Sequence, residues 1–161
     1  MEELASIEER YMISQATYDD LPEILALQYL AYQSEAALLQ NFSIPPLTQS
    51  LESVQEEFAR GAILKATEGE TILGSVRAYE QGGTVFVGKL IVHPSQQGKG
   101  IGSSLLLAVE EVCPAARYEL FTSNKSEHNL RLYERLGYRR FAERQAAPGL
   151  TFVYLEKNTV E

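Results

Sequence analysis

The sequence predicts an α/β (α+β) fold in which helices flank a mixed central β-sheet. Three segments in the middle of the chain have the composition of strands and are separated by the turn signals "EGE" and "QGG": residues 62–68, 71–80 and 84–94. The third leads into a glycine-rich loop, an apolar helix and another strand, which is the order of a parallel β–α–β unit. The predicted order of elements is therefore β, α, α, β, β, β, α, β, α, β, β.

The first strand and helix are predicted from periodicity. Residues 11–17 alternate as expected for a strand. Asp19 or Asp20 then caps a helix, with Pro22 tolerated in its first turn. Five apolar residues of this helix fall at helical spacing: Leu21, Ile24, Leu25, Leu27 and Leu30.

A Pro-containing loop at 41–50 precedes the second helix. Thr48 or Ser50 is its expected cap, and Gly61 its expected end. In the C-terminal half, an apolar helix stops before Pro114. The elements predicted there are a helix at 103–112, a strand at 117–123, a helix at 126–137 and strands at 138–144 and 150–157.

Length and composition indicate one domain. At 161 residues the chain is long enough for one hydrophobic core, and we expect a polar arm at 1–10 followed by a single domain at 11–158. The net charge of −8 argues against nonspecific binding to nucleic acid. The single cysteine, Cys113, cannot form an internal disulfide, which favours a cytoplasmic protein. We find no signal peptide and no apolar run near the roughly 20 residues that span a bilayer.

The loop "QQGKGIGSSLL" is the most informative stretch. It does not fit a Walker loop, because Gly98-Lys99 is followed by Gly100, nor a dinucleotide fingerprint, because Ser103 replaces the third glycine. Glycines nevertheless let the backbone approach a ligand closely, and the helix start that follows favours anions such as a pyrophosphate. The alternative is a tight turn that uses glycine only for its positive φ angles.

This loop resembles the Gln/Arg-x-x-Gly-x-Gly/Ala motif of the GNAT superfamily of acetyltransferases, with Gln97, Gly100 and Gly102 at the defining positions. The Leu-x-Val that precedes that motif is matched by "LIV", residues 90–92. The second landmark of the superfamily is matched by "NLRLYERLGY", residues 129–138, and its opening by "ISQATYDDLPEILAL". The resemblance thus covers nearly the whole chain in order.

The resemblance implies a fold in which two parallel strands, one carrying residues 90–92 and the other residues 117–122, splay apart to hold acetyl-CoA as co-substrate. Pantetheine would lie in the gap, and the backbone amides of residues 98–103 would bind the pyrophosphate. The residues implied to bind acetyl-CoA are Leu90, Ile91, Val92, Gln97, Gly98, Lys99, Gly100, Ile101, Gly102, Ser103, Ser126, Asn129 and Tyr133.

Three polar residues share one stripe of the helix predicted at 126–137: Ser126, Asn129 and Tyr133. The resemblance implies that Tyr133 lies near the sulfur of CoA and protonates the departing thiolate. The alternative is a tyrosine that only packs its ring and bonds its hydroxyl. Either Ser126 or Asn129 would contact pantetheine.

The sequence offers several candidates for the general base. Many members of the superfamily have an acidic residue before Leu-x-Val, where this chain has Lys89. Glu119 is the best substitute, because a charge in the middle of a strand needs a partner or a function. The alternative is an ion pair of Glu119 with Lys89 or Arg77, and two further candidate bases are Glu35 and Glu80.

A two-residue turn at Gly82-Gly83 would fix the register of the central hairpin. That register places Arg77 opposite Gly88 and facing away from Lys89.

The resemblance implies that the acceptor binds to the first two helices and their connection. This region offers aromatic and acidic residues, of which Tyr29, Tyr32 and Glu35 are the candidate contacts for a small amine or a peptide N-terminus. The alternative is that these residues are core and helix surface.

The resemblance therefore implies an N-acetyltransferase that moves an acetyl group from acetyl-CoA to a primary amine by direct transfer in a ternary complex. The alternative is a non-catalytic domain that binds or senses acyl-CoA. We expect no metal, nucleic acid or membrane partner. Homodimers are common in the superfamily, and the C-terminal strands are the candidate interface.

Overall fold

The computed structural model describes residues 11–159, so the polar arm expected at 1–10 lies outside the described residues. A mixed seven-stranded sheet has the order β1-β2-β3-β4-β5-β7-β6. Its strands are β1 (Met12–Gln15), β2 (Ala62–Glu68), β3 (Thr71–Gln81), β4 (Thr84–Val92), β5 (Arg117–Ser123), β6 (Arg139–Ala147) and β7 (Leu150–Asn158). The predicted α/β class and mixed sheet are confirmed.

Six α-helices connect or flank these strands in the described part of the chain. They are α1 (Leu21–Ala31), α2 (Gln33–Leu39), α3 (Pro45–Thr48), α4 (Leu51–Arg60), α5 (Ile101–Val112) and α6 (Glu127–Arg135). Ser50 caps α4, because its hydroxyl accepts a hydrogen bond from the Ser53 amide at 3.1 Å. The loop expected at 41–50 contains α3, because Pro45 starts a helical turn there instead of ending one.

The sheet has a hydrophobic core on each face. Helices α5 and α6 pack on one face, over a core that includes Leu105, Leu130 and Val87. Helices α1 and α4 pack on the other face, around Ile24 and Val54. A ligand in the middle of the sheet would therefore contact α5 and α6 on one face and α1 and α4 on the other.

One position of α1 differs from its predicted face. Leu30 is 45% exposed, whereas Gln28 is fully buried. Gln28 is buried because its amide group has hydrogen-bond partners there: Nε2 donates to the Pro46 carbonyl at 2.8 Å, and Oε1 accepts from Arg77.

The parallel pair β4–β5 opens along its length. Pairing covers only Thr84 to Phe86 on β4 and Arg117 to Glu119 on β5, after which β5 continues in register with β7. The β5-facing backbone edge of β4 beyond Phe86 therefore has no strand partner in this sheet. This is the splay that the resemblance implies.

A β-bulge lies at this opening. Ser75 pairs with Ile91 and Arg77 with Gly88, so β4 contains one extra residue, and Lys89 has φ +51°. The predicted pairing of Arg77 with Gly88 is confirmed. The expectation that Arg77 faces away from Lys89 is wrong, because the extra residue changes the alternation and brings both side chains to Glu57 of α4.

Candidate active site

The glycine loop adopts a conformation that requires glycine. Gly98 and Gly100 have φ values of +79° and +87°, and Gly100 is the N-cap of α5. A Cβ atom on either glycine would meet no atom within 4 Å. Positive φ, not crowding by the protein, is therefore the reason for glycine here, and the loop stays open to a ligand.

The start of α5 presents free donors beside this loop. The Ser104 amide donates to the Gly100 carbonyl at 3.0 Å, which makes it the first intrahelical bond. The amides of residues 101–103 come before that bond and have no acceptor within the helix. Together with the positive end of the helix dipole, they fit a phosphate group.

Gly102 connects this loop to the opened strand. A Cβ atom there would lie 3.5 Å from Leu132 of α6, 3.8 Å from Leu90 and 3.9 Å from Val92. Gly102 therefore packs against α6 and against the strand that carries residues 90–92. The predicted cofactor residues at 90–92 and 97–103 are thus neighbours in the fold.

Tyr133, the candidate acid, lies close to Tyr32 and Glu35, two of the candidate acceptor contacts. Tyr133 is 6% exposed, and burial raises the pKa of its phenol, with further increases from nearby Tyr32, Tyr138 and Glu35. Burial and Glu35 also raise the pKa of Tyr32, to about 12. Residues far apart in sequence, from α6 and from α1–α2, thus form one cluster.

The two candidate pantetheine contacts already have partners. The Ser126 hydroxyl donates to the Glu35 carboxylate, with distances of 2.8 and 3.1 Å to its two oxygens. Asn129 Nδ2 donates to Thr122 Oγ1 at 3.3 Å. Ser126 is buried and Asn129 is half-buried.

A cavity of about 170 Å³ lies on the α4 side of the sheet, where β4 and β5 separate. Glu119 lines it, but its ion pair is with Arg117 at 2.8 Å and not with Lys89 or Arg77. The reason is strand geometry, since residues two apart on β5 point to the same face. Glu80 is exposed on β3 and does not line this cavity.

A network around Arg77 forms the opposite wall. Arg77 is 6% exposed and pairs with Glu57 at 2.7 Å, and Glu57 also lies 3.4 Å from Lys89. Arg77 further donates to Gln28 and Gln49. Sequence reasoning missed Glu57 and the two glutamines, and the only signal was an arginine within an apolar strand, which required some partner.

The remaining acceptor candidates do not line this cavity. Tyr29 donates its hydroxyl to the Gln49 carbonyl, and Tyr32 and Glu35 belong to the Tyr133 cluster. Their predicted contact with an acceptor stays a prediction. Within residues 11–159, no group of three or more His, Cys, Asp or Glu is arranged to hold a metal. No helix of the same residues is both long and apolar enough to cross a bilayer.

Comparison with known proteins identifies the family. Residues 30–159 match the model of the acetyltransferase (GNAT) domain. The chain therefore belongs to the GNAT family of acetyltransferases.

Solved structures share its fold. The PaiA N-acetyltransferase of Thermoplasma acidophilum, solved in complex with coenzyme A, is 16% identical, with a TM-score of 0.76 over 92% of this chain and 98% of that one. The ribosomal-protein-S18-alanine N-acetyltransferase of Escherichia coli is 16% identical, with a TM-score of 0.77 over 94% and 95%. The putative acetyltransferase YncA of Salmonella typhimurium, solved with acetyl-CoA, is 19% identical, with a TM-score of 0.72 over 94% and 95%.

A curated relative is the UPF0157 protein YqkA of Bacillus subtilis, which is 27% identical over 129 residues. The match covers 80% of this chain, and the chain spans 37% of that protein's length.

Proposed function

We propose that the protein is an N-acetyltransferase that transfers the acetyl group of acetyl-CoA directly to a primary amine within a ternary complex. The observation that carries the proposal is the combination of free amides at the start of α5 with the unpaired edge of β4. The first suits a pyrophosphate, and the second offers backbone groups to a pantetheine arm. Acetyl-CoA would supply an activated thioester.

The anchoring residues follow from this arrangement. The amides of Gly98 to Ser103 would hold the pyrophosphate, with Lys99 at the surface beside them. The backbone of Leu90, Ile91 and Val92 would hold the pantetheine. A backbone N–H near Ile91 would stabilise the negative charge that develops on the thioester oxygen.

Acetyl transfer forms a bond from the acceptor nitrogen to the acetyl carbon and breaks the carbon–sulfur bond. The nitrogen must therefore lose a proton and the sulfur must gain one. We assign the donor role to Tyr133, whose raised pKa keeps the phenol protonated. Glu119 is the proposed base. The other carboxylate that lines the cavity is Glu57. Burial raises the pKa of Glu57, but the charges of Lys89 and Arg77 lower it by more, so this carboxylate is the weaker base.

A screen and a kinetic pattern test this function. Purified protein is mixed with acetyl-CoA and a panel of primary amines, and thiol release is followed. For an accepted amine, initial rates measured against both substrates should give intersecting double-reciprocal lines, as a ternary complex requires. Parallel lines with a burst of CoA in the absence of amine would contradict direct transfer. Tight acetyl-CoA binding without turnover of any amine would favour a sensing domain instead.

The setting of the reaction is part of the proposal. We expect the enzyme to act in the cytoplasm, where acetyl-CoA is available and Cys113 stays reduced. Burial raises the pKa of the Cys113 thiol, which makes it less reactive.

A further inference from the structure

The cavity beside the β4–β5 opening has an uneven charge distribution. Its α4, β3 and β4 side is lined by three cations, Arg60, Arg77 and Lys89, and by a single carboxylate, that of Glu57. Arg60 lies over the Tyr79 ring, 5.4 Å from its centroid, and has no ion-pair partner within residues 11–159. This side of the cavity therefore has a surplus of positive charge.

The buried arginine of this cationic side is incompletely satisfied. The Nε atom of Arg77 is buried and has no hydrogen-bond acceptor among the described residues. Its terminal nitrogens bond to two neutral glutamines and to Glu57, which it shares with Lys89. A buried cation without full compensation is costly, so an anion in the cavity would stabilise this wall.

Lys89 is a second, half-buried cation of this side. Burial lowers the pKa of its ammonium group, and the charges of Arg77 and Arg60 lower it further, against the opposing effect of Glu57. Lys89 directly precedes Leu90, so its charge lies beside the strand edge where the proposed transfer takes place.

The β5 side of the cavity has the opposite character. Arg117 lies between two carboxylates, 2.8 Å from Glu119 and 2.9 Å from Glu156. Of these charged residues, only Glu119 lines the cavity, so the group that this side offers to a ligand is a carboxylate. Aromatic side chains from β4 and β5, Phe86 and Phe121, lie between the two charged sides.

We propose that the acceptor is an amine that also carries a carboxylate, such as an amino acid with an apolar or aromatic side chain. Its carboxylate binds Lys89 and Arg60, its amine lies toward Glu119, and its side chain contacts Phe86 or Phe121. This inference rests on the acetyl transfer proposed above and narrows the acceptor class, which neither the sequence nor the family specifies.

Matched amines test the inference without a mutation. L-Phenylalanine and phenethylamine differ by the carboxylate, as do L-tryptophan and tryptamine, and L-phenylalaninamide keeps the shape without the charge. We expect kcat/KM from thiol release to be about 10- to 100-fold higher for the amino acid of each pair, because a charge-assisted contact is lost otherwise. Equal or better use of the decarboxylated amines would overturn the inference and leave the acetyltransferase proposal intact.

Two variants test whether Lys89 binds the carboxylate of the acceptor. Lys89→Met should raise KM for the amino acid about 10-fold, with little change for phenethylamine and none in the affinity for acetyl-CoA. Lys65→Met is the control, because Lys65 is another half-buried lysine in an ion pair, with Asp20 at 2.7 Å, and does not line the cavity. Lost acetyl-CoA affinity in Lys89→Met would assign the cationic side to the co-substrate and overturn the inference.

The wild type separates the inference from the proposed function. Acetyl-CoA binding by the wild type without turnover of any amino acid would overturn the inference, whereas absence of acetyl-CoA binding would refute the proposed function itself.

Discussion

At the scale of single residues, Tyr133 best illustrates how burial shapes reactivity. Its ring lies 6.2 Å from that of Tyr138, and both phenols have raised pKa values because both are buried. A general acid must hold its proton until the leaving group needs it. A tyrosine with a pKa above 10 is protonated at every pH below that value, so it is a reliable donor to a thiolate.

Tyr133→Phe tests this role. The substitution should lower kcat about 100-fold or more, because general acid catalysis contributes roughly that much, while the affinity for acetyl-CoA stays unchanged. Because the pKa of Tyr133 is raised above its ordinary value of 10, the phenol stays protonated at lower pH. Below pH 10, the kcat of the wild type and that of the variant should therefore have the same pH dependence.

The control is Tyr138→Phe. The Tyr138 hydroxyl is also buried but has no partner within the described residues, so its removal should leave kcat and folding intact. An unchanged kcat in Tyr133→Phe, or an equal loss in both variants, would remove Tyr133 from the mechanism.

Single residues also show which parts of the site could be predicted from the sequence. The motif identified Tyr133 and the glycines, because their spacing is local. The contact of Arg77 with Glu57 spans 20 positions and depends on how α4 packs on the sheet, which periodicity does not specify. The orientation of Lys89 depended on a bulge, and one extra residue reverses which face a side chain occupies.

At the scale of elements, α4 is held to the sheet by a charged contact as well as by its apolar face. Val54 is fully buried in the core, and Glu57 reaches Arg77 of β3 and Lys89 of β4. The two cations keep the pKa of Glu57 below 4.5 even though burial alone would raise it. A lowered folded-state pKa stabilises the fold above the unfolded pKa, and that stabilisation is lost as the pH falls through the folded value.

Glu57→Gln should therefore flatten the acid limb of the stability curve. The free energy of unfolding, measured by urea titration between pH 3 and 7, should fall more steeply below pH 4.5 in the wild type than in the variant. Glu56→Gln, at the neighbouring exposed position of the same helix, is the control and should behave as the wild type. The same acid limb in Glu57→Gln and in the wild type would show that this ion pair does not couple α4 to the sheet.

Most elements could be predicted from the sequence, and one exception, α3, has a physical cause. Strands β2 and β5 lie where alternation and the flanking turn residues place them, and Ser50 caps α4 as expected. Helix α3 was missed because two consecutive prolines indicate a loop, although a proline at the first helical position is favourable.

At the scale of the whole molecule, the proposed function depends on the place where β4 and β5 separate within the sheet. Parallel pairing of β4 with β5 ends at Phe86, and the two sheet faces then bring different parts to the same opening: the α5 loop on one side, the charged cavity on the other. The order of elements predicted the parallel unit and the resemblance implied its opening, but the charge distribution of the cavity required the folded chain. Along the far edge, β6 is exposed over its full length, and a homodimer through the C-terminal strands stays a prediction.

The central claim is that the loop before α5 binds the phosphates of acetyl-CoA, and calorimetric titration of acetyl-CoA tests it most directly. The variant is Gly100→Glu, which places a carboxylate where the pyrophosphate would lie. Its control is Gly149→Glu in the β6–β7 turn, because that glycine also has a positive φ, +77° against +87°, and equally open surroundings. We expect saturable binding to the wild type and to Gly149→Glu, and none to Gly100→Glu. No binding to the folded wild type, or undiminished binding to Gly100→Glu, would contradict the account.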